Sequence, residues 1–517
     1  MNLTKSIILS LLFFAFHSYK LVAQEFHVSK SEVFEEPVNG SIKILQLKNG
    51  YTFLLHIDEK ADGIDLTIFD KNRKIVKAEK LMCKATEVDK LKPDFVRGFY
   101  EINGEPVLFI DAEYKEKTAF YRVRLEPISG AVIKEDELGA IEDDNRLYRH
   151  AFILGNDAGM NVAKDAASDC YAVIITNWNR NEGKQSIRVM HFDGAHNKIN
   201  ECSYNPNKQK FKFVKFCSAV VDGGKRVLLF CGGCDGKMGH GSADFDYLMT
   251  MKMNVNDKEL TIKPLKLNVE RKLKDVKTQA LYDKVNNRMQ VLTVWLDHTV
   301  FENKTNTFIH YYLSMIYTFD AETLNVSYIT QVAAAKANGY ARLYIDSDYE
   351  YPGIARKIVH NRDNTLSVLL EIQLDGFFGD LAISQLSDTT ELEGYIMRKK
   401  QTPTSMANNR QFMSYNYVST PKCNYVILND VASNFNKNKN EKIKPVTTVS
   451  GTNAVVYKLG NNEVDRVFLF GEPGKDEYRF GYVDGADYNE GLDTYATVIV
   501  EREGREKQAR MAWVTFE

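Results

Sequence analysis

The chain has 517 residues and sets 67 Lys and Arg against 69 Asp and Glu, a formal net charge of −2. That balance excludes a broad electrostatic drive toward nucleic acid or an anionic membrane. Aromatic residues at 11% and only 11 prolines exclude a disordered chain, and seven cysteines in so long a sequence exclude a disulfide scaffold.

The N-terminus opens with Lys5, an apolar run from Ile7 to Phe16 and small Ala23 before Gln24. This pattern predicts a signal peptide over residues 1–23, cleaved after Ala23, and a periplasmic or secreted mature chain. The run is about ten residues, half of the roughly 20 that a membrane-spanning helix needs. No cysteine follows it to carry a lipid, and no later stretch has the length and apolarity of a transmembrane segment.

One unit then recurs: an alternating run, a tight polar turn and a second alternating run. It reads DLTIFDKNRKIVKAEKL from Asp65, FYRVRLEPISGAVIKEDEL from Phe120, IRVMHFDGAHNKINECSY from Ile187 and YLMTMKMNVNDKELTIKPL from Tyr247. It returns as YLSMIYTFDAETLNVSYIT from Tyr312 and AVVYKLGNNEVDRVFLF from Ala454, with a degraded copy, ELEGYIMRKKQ, from Glu391. Period-two alternation around an Asn/Asp/Gly turn predicts a β-hairpin. Three turns open with the same pair, Phe69-Asp70, Phe192-Asp193 and Phe319-Asp320. An Asp there satisfies backbone N–H groups of its own turn, which explains it without a ligand.

A further extended run precedes each hairpin, as in PVLFIDAEY from Pro106, RVLLFCGG from Arg226 and NYVILND from Asn424. Each unit thus supplies three or four strands and almost no helix. Repeated small antiparallel sheets predict an all-β fold, a β-propeller over residues 24–517 as a single domain. Seven blades fit the spacing best, with six or eight as alternatives and a pair of β-sandwich domains as the rival architecture. The tail YATVIVEREGREKQARMAWVTF from Tyr495 is one more hairpin, expected to close the ring with early residues between Phe26 and Phe34.

NYVILNDVASNFNKN, TNAVVYKLGNN and the tail resemble the C-terminal parts of uncharacterised secreted bacterial β-propeller-like proteins, and the hairpin IFDKNRKIV is similar too. The resemblance covers most of the mature chain loosely and rests on strand and turn motifs. It implies a propeller and brings no catalytic residues to carry over.

Chemistry is sparse. Cys231 and Cys234 form one C-x-x-C, with His240 nearby. A structural zinc site takes four ligands, commonly from two such knuckles, and a redox pair opens a helix. Here glycines follow and lead into a strand, so a strand end with a glycine loop is the plainer reading. The hairpin around Asp222-Gly223-Gly224 sets Cys217 opposite Cys231 if its loop has three residues, which makes a Cys217–Cys231 disulfide a candidate. A two-residue loop sets Phe230 there instead. Acidic stretches supply candidate binding residues Asp346, Asp348 and Glu350 beside two tyrosines, and Asp484 and Asp487 in YVDGADYNEGLD. None has the ligand spacing of a calcium loop. The sequence has no G-x-S-x-G, no H-E-x-x-H and no phosphate-binding glycine loop, and no cofactor is expected. The reading is a binding or interaction module for an envelope or extracellular protein or a glycan, without nucleic acid. A propeller polysaccharide hydrolase or lyase and a structural subunit of an envelope assembly are the alternatives.

Overall fold

The computed structural model describes residues 26–516 apart from 59–62, 87–94, 114–116, 143–158, 180–183, 205–210, 212, 235–246, 267–273, 303–306, 333–352, 375–376, 388–389, 403–409, 438–440, 461–462, 475 and 505. The predicted signal peptide lies outside the described residues. No helix among them is long and apolar enough to cross a membrane.

Alternating apolar runs fold into 33 strands among the described residues. After β1 (Phe26–Lys30), six four-stranded antiparallel sheets follow in chain order. The first joins β2 (Ser41–Gln46), β3 (Thr52–Ile57), β4 (Ile64–Phe69) and β5 (Ile75–Leu81). The second joins β6 (Val96–Ile102), β7 (Glu105–Glu113), β8 (Lys117–Leu125) and β9 (Val132–Glu142). The third runs from β10 (Gly159–Lys164) through β11 (Tyr171–Asn179) and β12 (Lys184–Phe192) to β13 (Lys198–Tyr204). The fourth has β14 (Phe213–Asp222), β15 (Arg226–Cys234), β16 (Tyr247–Asn254) and β17 (Thr261–Lys266). The fifth has β18 (Lys274–Asp283), β19 (Arg288–Glu302), β20 (Thr307–Asp320) and β21 (Val326–Gln331). The sixth has β22 (Ile354–His360), β23 (Leu366–Leu374), β24 (Phe377–Ser387) and β25 (Thr390–Met397).

The first strands β2, β6, β10, β14, β18 and β22 touch one another in that order. Side chains reach across between them: Gln279 on β18 both donates to and accepts from the backbone of Ile358 on β22, at 3.1 and 2.8 Å. Between successive sheets lie separate apolar cores. Phe109, Phe120 and Met160 fill one, and Leu228, Val291 and Phe319 another. Sheets packed face to face around their first strands make a β-propeller, and this radial order excludes the paired β-sandwich.

The remaining strands form a nine-stranded sheet in two halves. One half holds β26 (Asn416–Ser419), β27 (Asn424–Val431), β28 (Thr452–Gly460) and β29 (Glu463–Phe468). The other holds β30 (Tyr478–Gly481), β31 (Asp487–Asn489), β32 (Thr494–Glu503), β33 (Glu506–Phe516) and β1. A single parallel pair, Asn453 with Arg479, joins them. The halves pack on each other through Val418, Ile427, Val456, Ile499 and Val514. β1 pairs antiparallel with β33 from Phe26–Phe516 to Lys30–Ala512, so the first and last described strands lie side by side.

The hairpins end in tight, hydrogen-bonded turns. Asp70 Oδ1 accepts from the N–H groups of Asn72 and Lys74 at 2.8 and 2.9 Å, and Asp320 Oδ1 accepts from that of Thr323 at 2.7 Å. Asp193 does the same for Asn197 at 2.8 Å. These aspartates serve their own turns, and the backbone bonds hold the Asp70 and Asp320 carboxyls below the usual range. By strand direction, these turns share one end of the ring with the short turns between first and second strands. The longer connections, such as 235–246 and 333–352, leave from the other end.

Candidate functional site

Near that second end, the first strands break their register. An extra residue interrupts the pairing at Arg97 in β6, at Cys217 in β14 and at Arg356 in β22, four or five residues before each strand's last residue. A wider interruption lies between Lys274 and Lys277 in β18. A bulge re-aims side chains at the rim of a sheet, and here the bulges sit at nearly one depth around the ring.

A buried polar cluster lies beside the Arg356 bulge, where the sixth sheet meets the segment leading into β26. Lys399 is 1% exposed and its ammonium is ion-paired with Glu371 Oε1, itself 2% exposed in residue terms. Ser414 Oγ donates to the same carboxylate, at 2.9 Å from Oε1 and 3.1 Å from Oε2. The Lys399 backbone N–H donates to Asp380 Oδ1 at 2.9 Å. Gln401, fully buried, accepts from the Ser414 N–H at 2.7 Å and donates to the Asn429 carbonyl at 3.0 Å. The Lys399 ammonium also faces the rings of Phe378 and Tyr415, 5.6 and 5.5 Å from their centroids.

Burial dominates the electrostatics. It pushes the Asp380 carboxyl up to about 7 and that of Asp430, on the adjoining β27, up to about 6. It pulls the Lys399 ammonium below its ordinary value, against the attraction of Glu371. Ser414 has φ +70°, in the left-handed region that a non-glycine residue enters only when its surroundings hold it there. Its two hydrogen bonds do that holding. Ser414, Tyr415 and Arg356 are half-buried and form the accessible edge of the cluster; Lys357, next in β22, is exposed. Protein nevertheless crowds Lys357 enough for desolvation to lower its pKa. The second sheet repeats the theme in reduced form: Arg97 Nε donates to Asp111 Oδ2 at 2.6 Å, and burial raises that carboxyl to about 6.

This arrangement can hold a ligand by hydrogen bonds, a ring face and positive charge. Its carboxylate is engaged by Lys399 and by the Ser414 hydroxyl, and Ser414, Tyr415 and Arg356 are the half-buried residues beside it. No group of three or more His, Cys, Asp and Glu among the described residues is placed to hold a metal.

The residues singled out from sequence fall elsewhere. Asp346, Asp348 and Glu350 lie in the connection between β21 and β22, outside the described residues. Asp484 is exposed, and its backbone N–H donates to the Gln411 carbonyl at 3.0 Å. Asp487 holds the ring together: its Oδ2 accepts from the Gln46 N–H at 2.9 Å, joining β31 to β2, and burial raises it to about 6.

Cys217 and Cys231 are both free thiols. The hairpin does have the three-residue loop Gly223–Lys225, but the bulge at Cys217 slips the register and sets Phe216 opposite Cys231. Cys231 is fully buried, and Cys234 follows three residues later in the same strand. β15 ends at Cys234, so the C-x-x-C closes a strand.

No protein-family model matches the sequence, and no curated protein does. Among solved structures, the chain is similar to the polysaccharide lyase Uly1, at 8% identity and a TM-score of 0.43, over 92% of this chain and 90% of that one. It is similar to prolyl endopeptidases at 8% identity and a TM-score of 0.39, over 90% of this chain but only 55% of theirs. It also matches the β-propeller domain of the Trilobed protease from Pyrococcus furiosus, at 10% identity and a TM-score of 0.33, over 67% of this chain and 81% of that one. The propeller assignment rests on the sheet order and the ring of first strands, not on these likenesses.

Proposed function

We propose that this chain is a secreted β-propeller binding module that takes an anionic glycan at the end of the ring carrying the longer connections. The observation that carries the reading is the accessible edge beside Glu371: Arg356, Ser414 and Tyr415 line it, while the carboxylate behind them is engaged. A cation on a rigid, pre-bonded wall suits carboxylate or sulfate groups, and a tyrosine face beside it suits a sugar ring. The signal peptide over residues 1–23 supports an extracytoplasmic site of action. We also propose that the ring has eight blades, the two packed halves of the nine-stranded sheet counting as one each.

The test is retention of the mature protein on immobilised polygalacturonate, alginate and heparin against neutral dextran, with product assays run alongside. Salt-sensitive retention on an anionic polymer, lost in Arg356→Glu, without chain cleavage, supports the reading. Cleavage of a polymer would move the chain to the hydrolase or lyase alternative. Equal behaviour on charged and neutral polymers would overturn the anionic-glycan reading.

A further inference from the structure

A charged seam closes the second sheet onto the third at the turn end of the ring. Glu105 opens β7, Arg122 and Arg124 lie on β8, Asp136 lies on β9 and Tyr171 opens β11. His196 reaches them from the turn between β12 and β13, where its φ is +67°. Arg122, Tyr171 and His196 are buried. Arg124 Nε and Nη2 donate to Glu105 Oε2 and Oε1 at 2.7 and 2.9 Å. Arg122 Nη2 and Nε donate to Asp136 Oδ2 at 2.6 and 3.1 Å, and Lys134 Nζ lies 2.9 Å from Oδ1. Arg122 Nη1 donates to the Tyr171 hydroxyl, whose oxygen lies 3.0 Å from His196 Nδ1.

These contacts fix where the imidazole carries its hydrogen. A guanidinium only donates, so the Tyr171 oxygen accepts from Arg122 and its own hydrogen goes to His196 Nδ1. The imidazole hydrogen is then on Nε2, which is buried without a hydrogen-bond partner among the described residues; Glu105 Oε2 lies 3.7 Å away. The other tautomer would aim an Nε2 lone pair at that carboxylate. A second proton therefore goes to Nδ1, where the Tyr171 hydrogen already sits. The charged groups facing the ring are Glu105 from β7, Arg122 and Arg124 from β8 and Asp136 from β9. Both carboxylates are already bonded to guanidinium groups, so an imidazolium would set a further positive charge beside Arg122 and Arg124. Burial and those two cations hold His196 down at about 4.

We propose that His196 is an acid-sensitive latch on this seam, closed while its imidazole is neutral and loosened once the imidazole takes a proton. The proton turns the Tyr171 hydroxyl away from Nδ1 and drives the turn off β8. Tyr171 stacks on Phe192 with 5.1 Å between ring centroids, and Arg122 lies 5.2 Å over the Phe192 ring, so moving the turn disturbs the aromatic packing between the two sheets. The opened seam binds the proton near pH 6.5 and the closed one near 4, so the latch is fully effective above about pH 6.5 and weakens as pH falls toward 4. The carboxylates keep their charge in that window. The Arg124 bonds hold Glu105 below its ordinary value, and at Asp136 burial is outweighed by the bonds from Arg122 and Lys134.

The test compares amide hydrogen exchange of the mature wild type and His196→Asn at equal pH, which cancels the intrinsic pH dependence of exchange. Asparagine accepts the left-handed backbone and does not titrate. The two proteins are expected to match at pH 7. Wild type is expected to exchange faster in residues 119–125, 171–175 and 187–192, by about tenfold at pH 5.5 and about fiftyfold at pH 4.5. Matching rates at all three pH values, or an acceleration spread evenly over every sheet, would overturn the inference. Exchange of the His196 C2 hydrogen in the wild type needs no variant. A midpoint below pH 5 is expected, and a midpoint near 6.5 would overturn the latch.

Discussion

Replacing Lys399 by methionine tests the buried pair that backs the proposed site. The ammonium is 1% exposed and is ion-paired with Glu371, which among the described residues also accepts from the Ser414 hydroxyl at 2.9 Å. Lys399→Met therefore leaves a carboxylate in a dry site with one hydroxyl for company. Breaking such a pair from one side costs about 3–5 kcal/mol, a large part of the roughly 5–15 kcal/mol that holds a typical domain together. Glu371→Met strands the ammonium and should cost a similar amount. The double variant removes both charges and fills the space with apolar atoms, so it should fall within about 2 kcal/mol of the wild type. The assay is urea unfolding followed by tryptophan fluorescence, where Trp513, buried between the last and first sheets, reports closure of the ring. The reasoning fails if Lys399→Met lies within about 1 kcal/mol of the wild type, or if the double variant loses as much as the two single variants together.

Asp380 sets a pH dependence. Its folded value of about 7 stands above the ordinary 3.8, so the native state holds its proton longer than the unfolded one. That contribution is full below about pH 4 and is lost as pH rises through 7, so wild type minus Asp380→Asn in unfolding free energy should fall across that window; a flat difference would contradict it. His196, lowered to about 4 by burial, acts in the opposite sense and cancels in this comparison. Gly485 has φ +80° and a Cβ there would collide with the Ile42 carbonyl oxygen where the last sheet meets the first. Gly485→Ala should cost about 2 kcal/mol or more in the same unfolding assay, and an unchanged midpoint would refute that packing. Cys231 is fully buried and its pKa is raised, so a thiol reagent should leave it unmodified in the native protein and modify it in urea. A Cys217–Cys231 bond in a non-reducing peptide map would reverse the free-thiol assignment.

Much of the fold was legible in local pattern. The hairpins at Phe69-Asp70, Phe192-Asp193 and Phe319-Asp320 show in sequence because the aspartate bonds N–H groups only two to four residues away. The closing half-sheet was harder to count. Its inner edge is broken into β30 and β31, and its outer strand, β1, comes from the other end of the chain. The polar cluster was missed because its partners are 13 to 43 residues apart, joined by tertiary packing that no local spacing reports. Lys399 reads as part of a solvated run, Arg-Lys-Lys, although the chain turns it inward. A signal was available in Glu371 and Asp111. Each is the lone carboxylate of a run buried on both faces, LSVLLEI and PVLFIDA, where a charge persists only with a partner.

Hydrogen–deuterium exchange of the mature protein, with and without oligogalacturonate, tests the central claim most directly. The account predicts slowed exchange in residues 354–358 and 412–416, with the turns at 70–74, 193–197 and 320–325 unchanged. Protection confined to those turns, or protection that persists at full strength in Arg356→Glu, would contradict it.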